Sequence, residues 1–294
     1  MKHMNNYLLF RTKRKIKLFG ISNIVIKDLQ KHQITLDYLY KLNKSFIESY
    51  NIDNKKRTFS KKVWICWLQG IESAPLLVKK CFDSVKKAFD GYEINVITND
   101  NYMKFVDIPN YINEKKNSGV ISYTHFSDIL RAELLSKYGG IWLDATVFCT
   151  TDTVPKYLFD SDLFVYKEVN LNRNDNVPIV ASSWFIKSNS NNPILLLTRD
   201  LLRNYWKNSN VLIDYYLFHL FFTLSTKKYD SEWNDLMLFN NANPHIMQFE
   251  LLNKYDNKRI EYYKKISDFH KLSYKINKNK ITKESTYYKI FGGK

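Results

Sequence analysis

Ser122–Thr150 reads SYTHFSDILRAELLSKYGGIWLDATVFCT, and the fold turns on how this stretch is read. Ser127–Tyr138 has the make-up of a helix: Ile129, Leu130, Leu134 and Leu135 supply a buried side, and Asp128 and Arg131 share one face. Gly139-Gly140 closes that helix, and Ile141–Phe148 follows as an apolar strand that carries Asp144. In an open α/β sheet, ligands bind beyond the carboxyl ends of the strands, which is where this pattern puts Asp144. Spacing alone also allows a plainer account, a surface ion pair on a helix and a strand-end Asp capping a turn.

On the N-terminal side, Val63–Leu68 (VWICWL) is a short run with β-branched and aromatic members and reads as a buried strand. Pro75 stands near the start of a helix with Leu77, Val78, Cys81, Phe82, Val85, Ala88 and Phe89 at spacings of three and four, and Gly91 stops it. Tyr92–Thr98 (YEINVIT) alternates as a second strand and ends in the turn Asn99-Asp100-Asn101. That strand–helix–strand unit opens a parallel sheet. Farther on, Asp162–Tyr166 and Ser183–Ile186 read as strands, and Pro193–Trp206 and Ile213–Leu224 as helices. Residues 1–56 read as helical, followed by the polar break Asn51–Arg57. With no internal repeat and no Gly/Pro/Ser-rich linker, the expected division is a helical, basic extension (1–60) and one catalytic domain (61–294).

The 294 residues, 45% hydrophobic with only 8 Gly and 6 Pro, suit a globular chain with a sizeable core. No apolar run approaches the ~18–20 residues of a spanning helix. The first residues put their apolar stretch before the basic cluster, the reverse of a signal peptide. Cys66, Cys81 and Cys149 are odd in number and far apart, which fits neither a disulfide framework nor zinc spacing and suits a reducing cytoplasm.

The net charge of +16 invites a nucleic-acid reading. By segment, residues 1–60 carry 13 Lys+Arg against 4 Asp+Glu, and residues 251–294 carry 12 against 4, so the body between is nearly neutral. A DNA-binding domain would concentrate its charge on the element that reads the groove. The cluster Arg11, Lys13, Arg14, Lys15 and Lys17, flanked by Tyr7–Phe10 and Ile16–Phe19, reads better as a contact with an anionic membrane surface.

SDILRAELLSKYGGIWLDAT resembles the core signature of glycosyltransferases with a DXD sugar-binding region. It is most similar to the capsular polysaccharide synthesis family, and a related arrangement occurs in the large clostridial glucosylating toxins. The tight match spans about 30 residues; a looser one runs from KKVWICWLQG at Lys61 to HKLSYK, which ends at Lys275. The resemblance implies an α/β fold of GT-A type, a Rossmann-like mixed sheet flanked by helices. It also implies transfer of a hexose or N-acetylhexosamine from a UDP- or GDP-sugar to a lipid-linked or oligosaccharide acceptor, with retention of anomeric configuration. The enzyme would work in the cytoplasm, peripheral on the inner face of the membrane, with no nucleic-acid partner. The rival readings are a basic nucleic-acid-binding protein and a protein-modifying glycosyltransferase effector.

Roles follow for matching residues. Trp67 would stack on the donor base, or else is a core Trp. Asp128 would bind sugar hydroxyls, with Arg131 pairing to it or reaching the sugar or phosphate. Asp144 matches the first Asp of the motif and would touch ribose, sugar or metal. The second acidic position is Thr146, a poor ligand for Mn2+ or Mg2+ beside a carboxylate; a divalent ion is still expected, on Asp144 and His270. Thr146 still counts among the donor-binding positions; His270, as an alternative to holding metal, would contact phosphate together with Ser273 and Lys275, although Lys275 also reads as part of a solvated basic tail. Asp144 and Asp214 are the catalytic candidates; the plainer reading of Asp214 is a helix N-cap. Ser182, Ser183, Trp184 and Asp214 are the acceptor candidates, and Asp235 and His245 are further ones.

Overall fold

The computed structural model describes residues 2–52, 55–169 and 177–292, with side chains from Leu9 onward. Asp53 and Asn54 of the polar break, and the side chains of Tyr7 and Leu8, lie outside that set. The chain begins with two helices, α1 (Lys2–Lys17) and α2 (Ile24–Ser49), where one helical region was expected. It turns between them at Gly20, whose φ of 82° an L side chain rarely adopts. Asn23 then caps α2 by accepting from the backbone N–H groups of Val25 and Ile26.

The elements that follow are β1 (Lys62–Cys66), α3 (Leu76–Ala88), β2 (Glu93–Ile97), α4 (Asn110–Asn117), α5 (Tyr123–Tyr138), β3 (Gly140–Asp144) and β4 (Val147–Cys149). Next come β5 (Leu163–Lys167), β6 (Ala181–Ser188), α6 (Pro193–Asn208), α7 (Leu217–Lys228) and α8 (Asp230–Asn234). The last are α9 (Ile246–Glu250), α10 (Asn257–Ile266), β7 (Phe269–Lys271) and α11 (Thr286–Phe291).

Five strands form a mixed sheet in the order β2-β1-β3-β6-β5. β1 is parallel to β2 and to β3, as the strand–helix–strand pattern required, and β6 runs antiparallel to both its neighbours. The run VWICWL is apolar throughout because β1 is buried on both faces. Trp64 and Trp142 point to the face covered by α5, α6 and α7, whereas Val63, Ile65, Ile141 and Leu143 point to the other, toward α3 and Phe269. The Trp64 indole N–H, buried with its ring, donates to the Gly139 carbonyl at 2.9 Å.

Two expectations need correcting. The strand read as Ile141–Phe148 is broken at Ala145-Thr146: β3 ends at Asp144, and β4 pairs with β7 in a separate two-stranded sheet. The helix expected from Ile213 begins at Leu217, because Asp214 accepts a hydrogen bond from the Tyr216 N–H and holds that segment in a turn. The N-terminal helices do not lie loosely on the body. Leu36, Leu39 and Ile47 of α2 belong to the same buried cluster as Trp64 and Trp142, and α2 packs along α7. The three cysteines are free, Cys81 and Cys149 buried. No helix of the described residues is long and apolar enough to cross a membrane.

Candidate active site

The break after Asp144 is what creates the site. β1 and β3 are parallel with Cys66 opposite Asp144, so Trp67 and Asp144 emerge side by side at the carboxyl edge of the sheet. β7 runs back past β4 in the small sheet and delivers Lys271 to the same edge. These elements enclose a cleft of about 510 Å³ lined by Trp67, Asp128, Arg131, Asp144, Thr146 and Lys271, with Ser183, Tyr215, His219, His245, Ser273 and Lys275 around it. That is the size of a small-molecule site.

Its polar centre is a chain of alternating charges. On α5, Arg131 hydrogen-bonds Asp128 three residues earlier, and its Nη2 donates to Asp144 Oδ1 at 2.9 Å. The guanidinium is clamped between the Trp142 and Phe218 rings, at 4.7 and 5.2 Å from their centroids. The Trp142 indole N–H adds a bond to Asp144 Oδ1 at 3.1 Å. Lys271 Nζ donates to Asp144 Oδ2 at 2.9 Å and to Thr146 Oγ1 at 2.7 Å. Burial would raise the Asp144 pKa, but Lys271 and Arg131 outweigh it and hold the carboxyl far below the usual range, so it stays ionised. Burial pushes the neighbouring Cys66 thiol up to about 12, which keeps it neutral.

Trp67, half-buried, meets the Tyr274 ring edge-on at 5.6 Å, so an apolar wall stands beside the charged centre. Ser273 Oγ accepts from the Lys275 N–H. His245 is anchored through Nδ1 to the Asn241 carbonyl at 2.7 Å. His219 Nδ1 has no hydrogen-bond partner among the described residues, although it is buried against the cleft.

Other expected residues are placed elsewhere. Asp214 does not line the cleft; its side chain is fully buried beneath the N-terminal helices, facing Arg14 at 3.4 Å, Lys31 at 3.6 Å and His32 at 3.7 Å. Ser182 bonds the Tyr166 carbonyl, and Trp184 stacks on Tyr166 and donates to Asn241 Oδ1, so both serve the packing behind the site. Asp235 closes α8. His270 faces away from the cleft, fully buried, with Nε2 at 3.1 Å from Thr150 Oγ1. The donor set expected for a divalent ion on Asp144 and His270 is therefore not assembled. Asp144 has both oxygens on cationic side chains, and among the described residues no group of three or more His, Cys, Asp or Glu could hold a metal. Lys271, next to His270, is the site residue the sequence reading passed over.

Two imidazoles, His270 buried and His219 half-buried at the cleft, give a pH prediction. Burial lowers both His219 and His270 from 6.5 to about 4. In the unfolded chain they regain protons near 6.5, so between pH 6.5 and 4 the unfolded state binds more protons and stability falls as pH falls. Each contributes up to about 1.4 kcal/mol per pH unit over that window and nothing to the slope above it. Urea midpoints should fall from pH 6.5 to 5, and His270→Gln should flatten that dependence by about one proton. An unflattened slope in the variant would contradict the burial argument.

The sequence profile of a family described as "Capsular polysaccharide synthesis protein" matches residues 15–290. Among solved structures, one titled "PaToxG Glycosyltransferase" is similar at 17% identity, over 70% of this chain and 85% of that one, with a TM-score of 0.38. A transferase carrying cysteine-to-serine substitutions is similar at 11% identity, over 66% of this chain and 98% of that one, with a TM-score of 0.35. No curated protein sequence matches.

Proposed function

The chain belongs to the capsular polysaccharide synthesis family, a family of glycosyltransferases, and we propose that it moves a hexose or N-acetylhexosamine from a UDP- or GDP-sugar to a lipid-linked or oligosaccharide acceptor. The observation that carries this reading is the Asp128–Arg131–Asp144–Lys271 chain at the carboxyl edge of the sheet, beside the aromatic wall of Trp67. Trp67 takes the face of the base. Asp128 and Asp144, fixed by Arg131, accept from sugar or ribose hydroxyls. Lys271 and Lys275, with Ser273, face the diphosphate. Ser183, which lines the same cleft, meets sugar or acceptor hydroxyls.

Transfer breaks the bond between the sugar anomeric carbon and the β-phosphate oxygen, and the electron pair leaves with the diphosphate. The acceptor oxygen bonds to the anomeric carbon from the same face, and its proton passes to the leaving diphosphate. That course retains configuration and needs no carboxylate base, in keeping with a cleft whose carboxylates are both tied to cations. The experiment is transfer of labelled sugar from a UDP- or GDP-linked donor into a lipid-extractable or oligosaccharide product, with the anomer read by NMR. Label confined to nucleotide and free sugar would refute the acceptor reading, and an inverted product the retaining course.

The N-terminal helices supply the proposed membrane contact, at the cytoplasmic face. Around the α1–α2 turn, Ile16, Phe19, Ile24 and Val25 are exposed, Phe19 at 90%, with Lys13, Lys15, Lys17 and Lys27 among them. Arg14 is not part of that surface; it turns inward to Thr35 Oγ1 and Asp214. Burying apolar side chains in the interface adds to about 1 kcal/mol per basic residue from anionic lipid. The full chain should co-sediment with phosphatidylserine-containing vesicles, and Phe19→Ser with Ile24→Ser should weaken this about ten-fold or more. Equal sedimentation of the double variant would remove the contact.

A further inference from the structure

We propose that the Lys271 ammonium takes the place of a divalent cation in this site, so that diphosphate departure needs neither Mn2+ nor Mg2+; the proposal rests on the nucleotide-sugar reading above. The ammonium bridges Asp144 Oδ2 and Thr146 Oγ1, at 2.9 and 2.7 Å, the two polar side chains of a D-x-T sequence that lines the cleft. A metal of this kind wants several hard, anionic oxygens. Only Asp144 offers a carboxylate there. Its second oxygen is already held by Arg131 and the Trp142 indole, and Asp128 is held by the same Arg131. A divalent ion on Asp144 would meet both cations at close range. Thr146, a weak metal ligand, is by contrast a good acceptor for an ammonium.

Lys271 is also positioned to act on the leaving group. An ammonium carries three donors, of which Asp144 and Thr146 take two. The third remains for a phosphate oxygen, and the Lys271 side chain, which lines the cleft, is 23% exposed rather than sealed off. Lys275 and Ser273 line the same wall. When the anomeric C–O bond breaks, the electron pair stays on the β-phosphate oxygen and the acceptor proton joins the diphosphate. Lys271 keeps its own proton throughout and stabilises the growing negative charge by a hydrogen bond already aimed at it. Its strand fixes it as well: β7 pairs Lys271 with Val147 of β4, one residue from Thr146, so lysine and threonine are held together by backbone register.

The test is calorimetric binding of UDP and of GDP to the full chain, in EDTA and then in millimolar Mn2+. The affinity for at least one nucleotide should be the same in both. Lys271→Met should weaken it about ten-fold or more, as expected for loss of a charge-assisted hydrogen bond, and Lys271→Arg should restore most of it. Binding that appears only with Mn2+, or a Lys271→Met variant that binds like the parent, would overturn the proposal and leave the glycosyltransferase reading standing. Failure of both nucleotides under both conditions would overturn that reading and the proposal with it. Should Lys271→Met fail to fold, the parent protein's response to Mn2+ decides by itself.

Discussion

Asp144→Asn should lower the initial rate of sugar transfer by about 10²–10³-fold while the far-UV spectrum and thermal unfolding remain those of a folded protein. The carboxylate is the point where the cleft's two cations meet: Arg131 and the Trp142 indole on one oxygen, Lys271 on the other. An amide of the same shape keeps one acceptor but replaces the other with N–H donors that face an ammonium. Lys271 and Arg131 then lose their common anchor, and the donors that should meet the diphosphate are no longer held in place. The fold tolerates the change because Arg131 keeps Asp128, and its guanidinium stays between Trp142 and Phe218. A rate within two-fold of the parent would take Asp144 out of the site.

The second large effect is on stability. Gly140→Ala should cost about 3–5 kcal/mol, read as a drop in urea midpoint with the slope unchanged. Gly140 has φ +96°, and a Cβ there would stand 2.4 Å from the Lys62 carbonyl oxygen and 3.2 Å from the Trp64 indole nitrogen. The oxygen is backbone of β1, which is paired to β3, so it yields only if the two central strands separate. Gly139 is equally confined, with Ser190 N and Ser188 O at 2.6 and 2.7 Å. The control is Gly119→Ala, whose φ is also positive, +76°, but whose Cβ would meet nothing within 4 Å; it should cost only the ~1–2 kcal/mol of backbone strain. Equal losses for Gly140 and Gly119 would show that crowding at the β1–β3 junction is not what the glycine serves.

That glycine pair explains why so much of the fold was legible. Gly139-Gly140 marks both the end of α5 and the start of β3, and the apolar runs on either side are long enough to name helix and strand. The same segment carries Asp128, Arg131 and Asp144 at local spacing, so three members of the site could be read from one stretch. What was missed depends on distant pairing. Nothing local says that the strand from Ile141 breaks after Asp144, because Val147 and Cys149 are as apolar as the residues before them; the break is imposed by β4 pairing with β7.

His270 and Lys271 illustrate the same point within one element. Adjacent residues of a strand point to opposite sides, and the chemistry of an imidazole drew attention to the wrong one. Only the register of β7 on β4 turns Lys271 to the cleft and His270 into the packing beside Thr150. Asp214 likewise looked like a site residue because a carboxylate before an apolar helix is conspicuous. Its basic partners, Arg14, Lys31 and His32, come from helices nearly two hundred residues earlier, and no local pattern reveals them.

The most direct test of the whole account is release of nucleoside diphosphate from a panel of UDP- and GDP-sugars by the purified 294-residue chain. At least one donor should give steady release of UDP or GDP, accelerated by acceptor and lost in Asp144→Asn. A chain that cleaves none of the panel, with or without acceptor and with or without Mn2+, would contradict it.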